Sequence, residues 1–173
     1  MRNARKTGEC SNWMPGGSRI NDMVCASQKY AVIQRMPQGG DMSADARHSA
    51  VQSSELPKPA GPYSPAVVFE RLVFVSGQGA KDSATGLLAG PDIESQTEQV
   101  LKNVAAILEA AGSGLDHVLR CGVFLTDMSE FARMNSIYER AFGANRPART
   151  TVQVAALPSP GLRVEIDAIA YIP

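Results

Sequence analysis

From Leu56 onward apolar and polar positions follow a dense, periodic pattern. Pro57, Pro59, Gly61 and Pro62 impose an extended entry that cannot be helical. Val67-Val68-Phe69 and Leu72-Val73-Phe74-Val75-Ser76 are two β-rich runs separated by Glu70-Arg71, which predicts a tight hairpin without the usual Asn-Gly. After a polar loop at 81–86, Pro91 and Asp92 introduce a helix whose apolar residues Ile93, Val100, Val104, Ile107, Leu108 and Ala111 recur at three- and four-residue steps. Gly112-Ser113-Gly114 stops it. Residues 118–126 are nearly apolar apart from Arg120 and predict a strand covered on both faces. Asp127 and Glu130 have the spacing of a capping box, and Phe131, Met134, Tyr138 and Phe142 trace one face of a second helix, ended by Gly143, Asn145 and Pro147. Strands at 150–155 and 163–172 flank the turn Pro158-Ser159-Pro160-Gly161. The order is ββαβαββ, an α+β domain with two helices on one face of a sheet.

Residues 1–55 read differently. They contain no Leu and no Phe, yet hold five of the seven methionines and Trp13, with no helical or strand period around them. Such a segment cannot easily fold alone, so the domain is expected to span 56–173 and residues 1–55 to form a disordered extension. A flexible arm, a targeting peptide and sequence translated from upstream of the true start all remain open. Glu9, Asp22 and the lack of an apolar face count against a transit peptide. Gln38-Gly39-Gly40-Asp41 back-translates to a purine-rich tract just before Met42, like a bacterial ribosome-binding site, which points to a start at Met42.

Charge sharpens this division. The chain carries 17 Lys+Arg and 17 Asp+Glu. Six basic residues (Arg2, Arg5, Lys6, Arg19, Lys29, Arg35) against Glu9, Asp22 and Asp41 give residues 1–41 a net +3, leaving 11 basic against 14 acidic beyond them, a net −3. A mildly acidic domain argues against nucleic acid as partner, because affinity for phosphates needs a basic face. No apolar run approaches the roughly 20 residues of a membrane span, so no membrane partner is expected. Cys10, Cys25 and Cys121 are widely spaced, indicating neither a disulfide framework nor a zinc site, and a cytoplasmic setting is expected.

Candidate chemistry is sparse. There is no phosphate-binding Gly loop, no nucleophile elbow and no Cys beside a His; His48 and His117 read as loop residues. Arg149 and Glu165 are two charges in unusual places: Arg149 opens a strand, and Glu165 sits between Val164 and Ile166. A guanidinium there can clamp a carboxylate with two parallel hydrogen bonds, and a partly desolvated carboxylate can take a proton from water. A structural ion pair between them, or plain solvation, is the alternative reading.

Five blocks in order resemble the RidA (YjgF) family: Gly61-Pro62-Tyr63-Ser64-Pro65-Ala66; Leu72-Val73-Phe74-Val75-Ser76-Gly77-Gln78; Val123-Phe124-Leu125-Thr126-Asp127-Met128; Pro147-Ala148-Arg149-Thr150-Thr151-Val152; and Val164-Glu165-Ile166-Asp167-Ala168-Ile169-Ala170. The resemblance covers 56–173 and implies a chorismate-mutase-like fold, assembled as a homotrimer with a site in each intersubunit cleft. It implies a cofactor-independent 2-iminobutanoate/2-iminopropanoate deaminase, hydrolysing 2-aminoacrylate and related enamine or imine acids released by pyridoxal-phosphate enzymes. A carboxylate-binding or protein-interaction role without turnover is the alternative on the same fold. By the resemblance, Arg149 holds the substrate carboxylate and Glu165 positions or activates water. Tyr63, Ser76, Gly77 and Asn135 match other lining positions. Thr151 stands where many members have Cys, a position used mainly through its backbone. Gly79-Ala80 replaces the family's usual Ile-Pro, which predicts a more mobile loop and a smaller pocket wall. Cys121 reads as a small buried hydrophobe.

Overall fold

The computed structural model describes residues 48–53, 56 and 59–173. The readings placed on residues 1–47, a start at Met42 among them, fall outside these. The described chain runs β1 (His48–Val51), β2 (Ala66–Phe69), β3 (Leu72–Gly79), α1 (Ile93–Ala110), β4 (Val118–Leu125), α2 (Phe131–Phe142), β5 (Ala148–Gln153) and β6 (Val164–Tyr171), with single 3₁₀ turns before β4 and α2. The α+β class expected from the pattern is what forms, as one six-stranded mixed sheet in the order β1-β2-β3-β6-β4-β5.

β1 corrects the expected boundary. Among the described residues the sheet begins at His48, inside the segment read as an extension, and His48 is a strand residue. All four residues of β1 pair with β2, from His48 opposite Phe69 to Val51 opposite Ala66, and Ala50 and Val51 are fully buried. A four-residue strand is too short to show a period in sequence. Removing residues 1–55 strips β1, exposes the edge of β2 and costs about 2 kcal/mol from the Val51 side chain alone, whereas removing 1–41 spares β1. Urea unfolding of the two shortened chains checks this; equal midpoints would show that β1 adds nothing.

The strands alternate because one face is covered. Along β6, Val164, Ile166, Ala168 and Ala170 are buried under the helices, while Glu165, Asp167, Ile169 and Tyr171 face the other way. α1 packs on β3, β6 and α2. Its start is the one expected: Asp92 accepts a hydrogen bond from the Ser95 amide at 2.8 Å. The second start differs. Asp127 caps a 3₁₀ turn through the Ser129 amide, and Glu130, instead of closing a capping box, bonds Arg163 Nη1 at 2.9 Å. Phe131 also leaves the expected core face of α2 and is exposed, while Ile137 is buried with Met134, Tyr138 and Phe142. α2 connects β4 to β5, and these two strands pair in parallel, as a helical crossover requires.

Two local irregularities shape the β2–β3 region. The β2–β3 hairpin closes through Glu70 at φ 55°, a left-handed conformation usually left to Gly or Asn. In β3, Ser76 and Gly77 together oppose a single residue of β6, since Val75 pairs with Ala168 and Gln78 with Ile166. Such a bulge bends the strand and re-aims its side chains.

Candidate functional site

The structure brings the expected residues into two clusters on opposite faces of the sheet. Residues paired across a ladder point the same way, and odd steps along a strand reverse direction. Arg149 pairs with Cys121 of β4, and Glu165 pairs with Phe124, three residues on. Arg149 therefore lies on the helix side and Glu165 on the open side. An ion pair between them within one chain, the alternative raised from sequence, does not form.

The first cluster is built by β5 and α2. The Arg149 guanidinium carbon stands 4.6 Å from the Tyr138 ring centroid and 5.6 Å from that of Phe131. Among the described residues no carboxylate lies within ion-pair distance of it. A guanidinium held over aromatic faces is oriented without being neutralised, and its fork stays available to an incoming anion. Asn135, Tyr138, Phe142, Gly143, Pro147 and Arg149 share the lining of a cavity of about 430 Å³. Asn135 thus stands with Arg149. Thr151, two residues further along the same face, is half-buried, and its hydroxyl has no partner among the described residues. β5 is the edge of the sheet, which leaves part of its backbone free to bond outward.

Tyr138 and Phe131 were read from sequence only as packing residues. Their seven-residue spacing on α2 puts both under Arg149, a signal that needs the β5 pairing to be seen. Burial, with the Cys121 thiol beside it, pushes the Tyr138 hydroxyl well above the usual phenol range. Burial likewise pushes the Cys121 thiol up, which makes it the inert apolar residue expected.

The second cluster lies where β3, β6 and the loops at 59–65 and 158–162 meet. Glu165, Gly77 and Tyr63 share a cavity of about 100 Å³. Burial, and secondarily the negative charge of Asp167, holds the Glu165 carboxyl above its ordinary range. Both effects favour the protonated form and strengthen the carboxylate as a base. Gly77 gives the Glu165 carboxylate its room: a Cβ there would lie 2.9 Å from its carboxyl carbon, and the carboxylate would have to move. Tyr63 is half-exposed, and its hydroxyl accepts from the Ala60 amide at 3.1 Å. Ser76 does not line this cavity. Its hydroxyl donates to the Ser64 carbonyl at 2.7 Å and its amide to Pro65 at 3.0 Å, so it ties the Tyr63 loop to β3.

Gly79-Ala80 also behaves differently from expectation. Ala80 is fully buried and Leu162 fills the room beside Gly79, so the wall is neither small nor loose there. Neither histidine joins either cluster: His117 packs its ring 5.0 Å from that of Tyr171. Among the described residues no group of His, Cys, Asp and Glu could hold a metal. No helix among them is long and apolar enough to cross a membrane.

A Gly77→Ala change tests the second cluster. It is expected to displace the Glu165 carboxylate while leaving the ladder intact, so that any chemistry depending on Glu165 falls at least about tenfold, the cost of a displaced reacting group. Activity comparable to wild type would show that Glu165 need not sit where it does.

Comparison with known proteins adds an independent line. The family model for endoribonuclease L-PSP matches residues 53–172. Protein DfrA of Myxococcus xanthus is 48% identical over 123 residues, covering 70% of this chain and 93% of that protein. The human 2-iminobutanoate/2-iminopropanoate deaminase is 40% identical over 120 residues, covering 69% of this chain and 87% of its own length. Among solved structures, RidA from the Antarctic bacterium Psychrobacter superposes with a TM-score of 0.68 at 42% identity, covering 71% of this chain and 98% of that one.

Proposed function

The chain belongs to the endoribonuclease L-PSP (YjgF/RidA) family, and from that premise we propose that it is a cytoplasmic, cofactor-independent deaminase of 2-imino acids, working as a homotrimer. The observation that carries the reading is the pair of half-sites. An unneutralised guanidinium stands on one face of the sheet and a carboxylate with a raised pKa on the other. Neither half can act on a small acid alone, and a second copy that sets its Glu165 face against the Arg149 edge of the first would complete both. The open face supports association. Leu72, Phe74 and Tyr171 are exposed on it beside Ile169 and Phe124, an apolar surface of the kind that marks an interface.

The chemistry asked of the site is modest. A 2-imino acid is already electrophilic at its C=N carbon, so fixing the carboxylate and aiming a water provide most of what is needed. Arg149 takes the carboxylate through its fork. Glu165 accepts a proton from water as the oxygen bonds to the imino carbon and the C=N electron pair moves to nitrogen. Glu165 returns that proton to nitrogen, giving the neutral carbinolamine, and then carries the hydroxyl proton to nitrogen as the C–N bond breaks and the C=O bond forms, so that ammonia leaves and the 2-oxo acid remains. Water is the sole co-reactant. Asn135 and the backbone at Gly77 and Thr151 offer hydrogen bonds to orient nitrogen and water.

The test is release of 2-oxo acid and ammonia from freshly generated 2-aminoacrylate. Acceleration over the uncatalysed hydrolysis is expected at catalytic protein concentrations. Saturable binding of pyruvate with no acceleration would replace the proposal with a carboxylate-binding role.

A further inference from the structure

We propose that Leu162, carried on a turn that Gln96 ties down, sets the size limit for the substrate's alkyl group, so that this site takes short 2-imino acids and rejects branched ones. The inference rests on the deaminase reading and concerns which substrates it admits.

The cavity beside Glu165, at about 100 Å³, is well below the roughly 300 Å³ where pockets for drug-sized ligands begin. Leu162 is one of the side chains that narrow it. Gly79 stands directly opposite Glu165 in the β3–β6 ladder, and Leu162 occupies the place its side chain would take. A Cβ on Gly79 would lie 2.9 Å from Leu162 Cδ1 and 3.2 Å from Cδ2. The φ of Gly79 is not in the left-handed region, so the missing Cβ matters for space alone. Leu162 is 8% exposed and forms an apolar wall next to the reacting carboxylate, with Pro158 beside it.

The turn that carries Leu162 is tied down at its backbone. Gln96 of α1 is fully buried, and its side chain grips the backbone on both sides of Leu162. Its Nε2 donates to the Gly161 carbonyl at 2.9 Å, and its Oε1 accepts from the Arg163 amide at 2.8 Å. Nε2 donates also to the Gly90 carbonyl at 2.9 Å. Arg163 then anchors the turn from the far side, bonding the Pro91 carbonyl at 2.7 Å and Glu130 at 2.9 Å. Gly161, at φ 82°, supplies the bend that directs Leu162 inward.

The substrate has three substituents on its reacting carbon. With the carboxylate on Arg149 and the imine nitrogen among hydrogen-bonding groups, the alkyl group is left for the apolar wall beside Glu165. Leu162 is therefore a specificity-determining residue and Gln96 a positioning residue acting through it.

The experiment compares kcat/KM for imines generated from alanine, 2-aminobutyrate and leucine in wild type, Leu162→Ala, Leu162→Val and Gly79→Ala. Wild type is expected to favour the alanine-derived imine. Leu162→Ala should raise the leucine-to-alanine ratio about 10- to 100-fold, the range for a few methylenes in an apolar pocket, with Leu162→Val intermediate. Gly79→Ala, by pushing Leu162 toward the cavity, should lower that ratio. Because Leu162 also packs in the core, Leu162→Val and Gly79→Ala keep the test open if Leu162→Ala does not fold. Ratios unchanged in the folded variants would overturn the inference. Absence of turnover in wild type would instead overturn the deaminase reading. Calorimetric Kd values for pyruvate and 4-methyl-2-oxopentanoate then decide the role of Leu162 alone: the same shift in their ratio supports it, an unchanged ratio ends it.

Discussion

Arg149→Ala is expected to lower kcat/KM for a 2-imino acid by about 10³-fold, since truncating one partner of a desolvated charge pair costs about 2–5 kcal/mol. Arg149→Lys should recover little of the loss. Lysine keeps the charge but has neither the planar fork that meets both carboxylate oxygens nor the flat face that rests on Tyr138 and Phe131. The effect on stability should be small for the same geometric reason. Among the described residues Arg149 has no carboxylate to abandon, so its removal forfeits about 1 kcal/mol of cation–π contact and strands no buried charge. The discriminating result is thus a deep loss of activity in a protein whose urea midpoint barely moves. Binding of pyruvate should weaken in parallel, as the carboxylate contact is made in ground and transition states alike. If Arg149→Lys kept near-wild-type activity, the guanidinium would be a structural stacking group and the carboxylate would bind elsewhere.

Much of the fold is legible in the sequence, and the parts that are not share a common cause. Local signals are explicit: Asp92 announces α1 and caps it, Gly112 to Gly114 end it, and the apolar periods place both α-helices and the strands other than β1 and β5, the latter forming at Ala148–Gln153, two residues before the expected 150–155. β1 is hidden because four residues, one of them His48, carry no period and are recognisable only by their pairing with β2. Glu130 has the capping-box spacing, yet Arg163, 33 residues away, offers a charge-assisted bond that a local amide cannot match. The motifs name Arg149 and Glu165, but their separation onto two faces follows from the register of β4 against both neighbours, which no single strand encodes. Gly79 shows the same limit in reverse. Viewed along the chain it is a lost side chain, and across the sheet it is the space that Leu162 fills.

Glu165→Gln is expected to lower kcat by about 10²- to 10⁴-fold, the usual contribution of a positioned general base, and at the same time to leave the protein as stable as wild type or more so near neutral pH. The sign follows from the raised pKa. Burial and the neighbouring Asp167 make the folded protein hold the Glu165 proton to higher pH than the unfolded chain does. Between the two pKa values the folded state therefore binds more protons, so stability falls as pH rises through that window and stays lower above it. Glutamine has no proton to release, and it escapes this cost. The difference in melting temperature, variant minus wild type, should then be larger at pH 8 than at pH 4. Activity runs the other way. A base must be ionised to accept a proton, so wild-type kcat/KM should decline as pH drops through the elevated Glu165 pKa, and the small residual rate of Glu165→Gln should lack that acidic limb. Asp167→Asn removes the neighbouring like charge and should move the limb to lower pH without abolishing turnover, although Asp167 also accepts from the Gly122 amide at 2.8 Å and asparagine must keep that bond through its oxygen. A wild-type profile flat across this range, or a glutamine variant that is both inactive and less stable at pH 8, would mean that Glu165 holds the cleft together and does not take the proton from water.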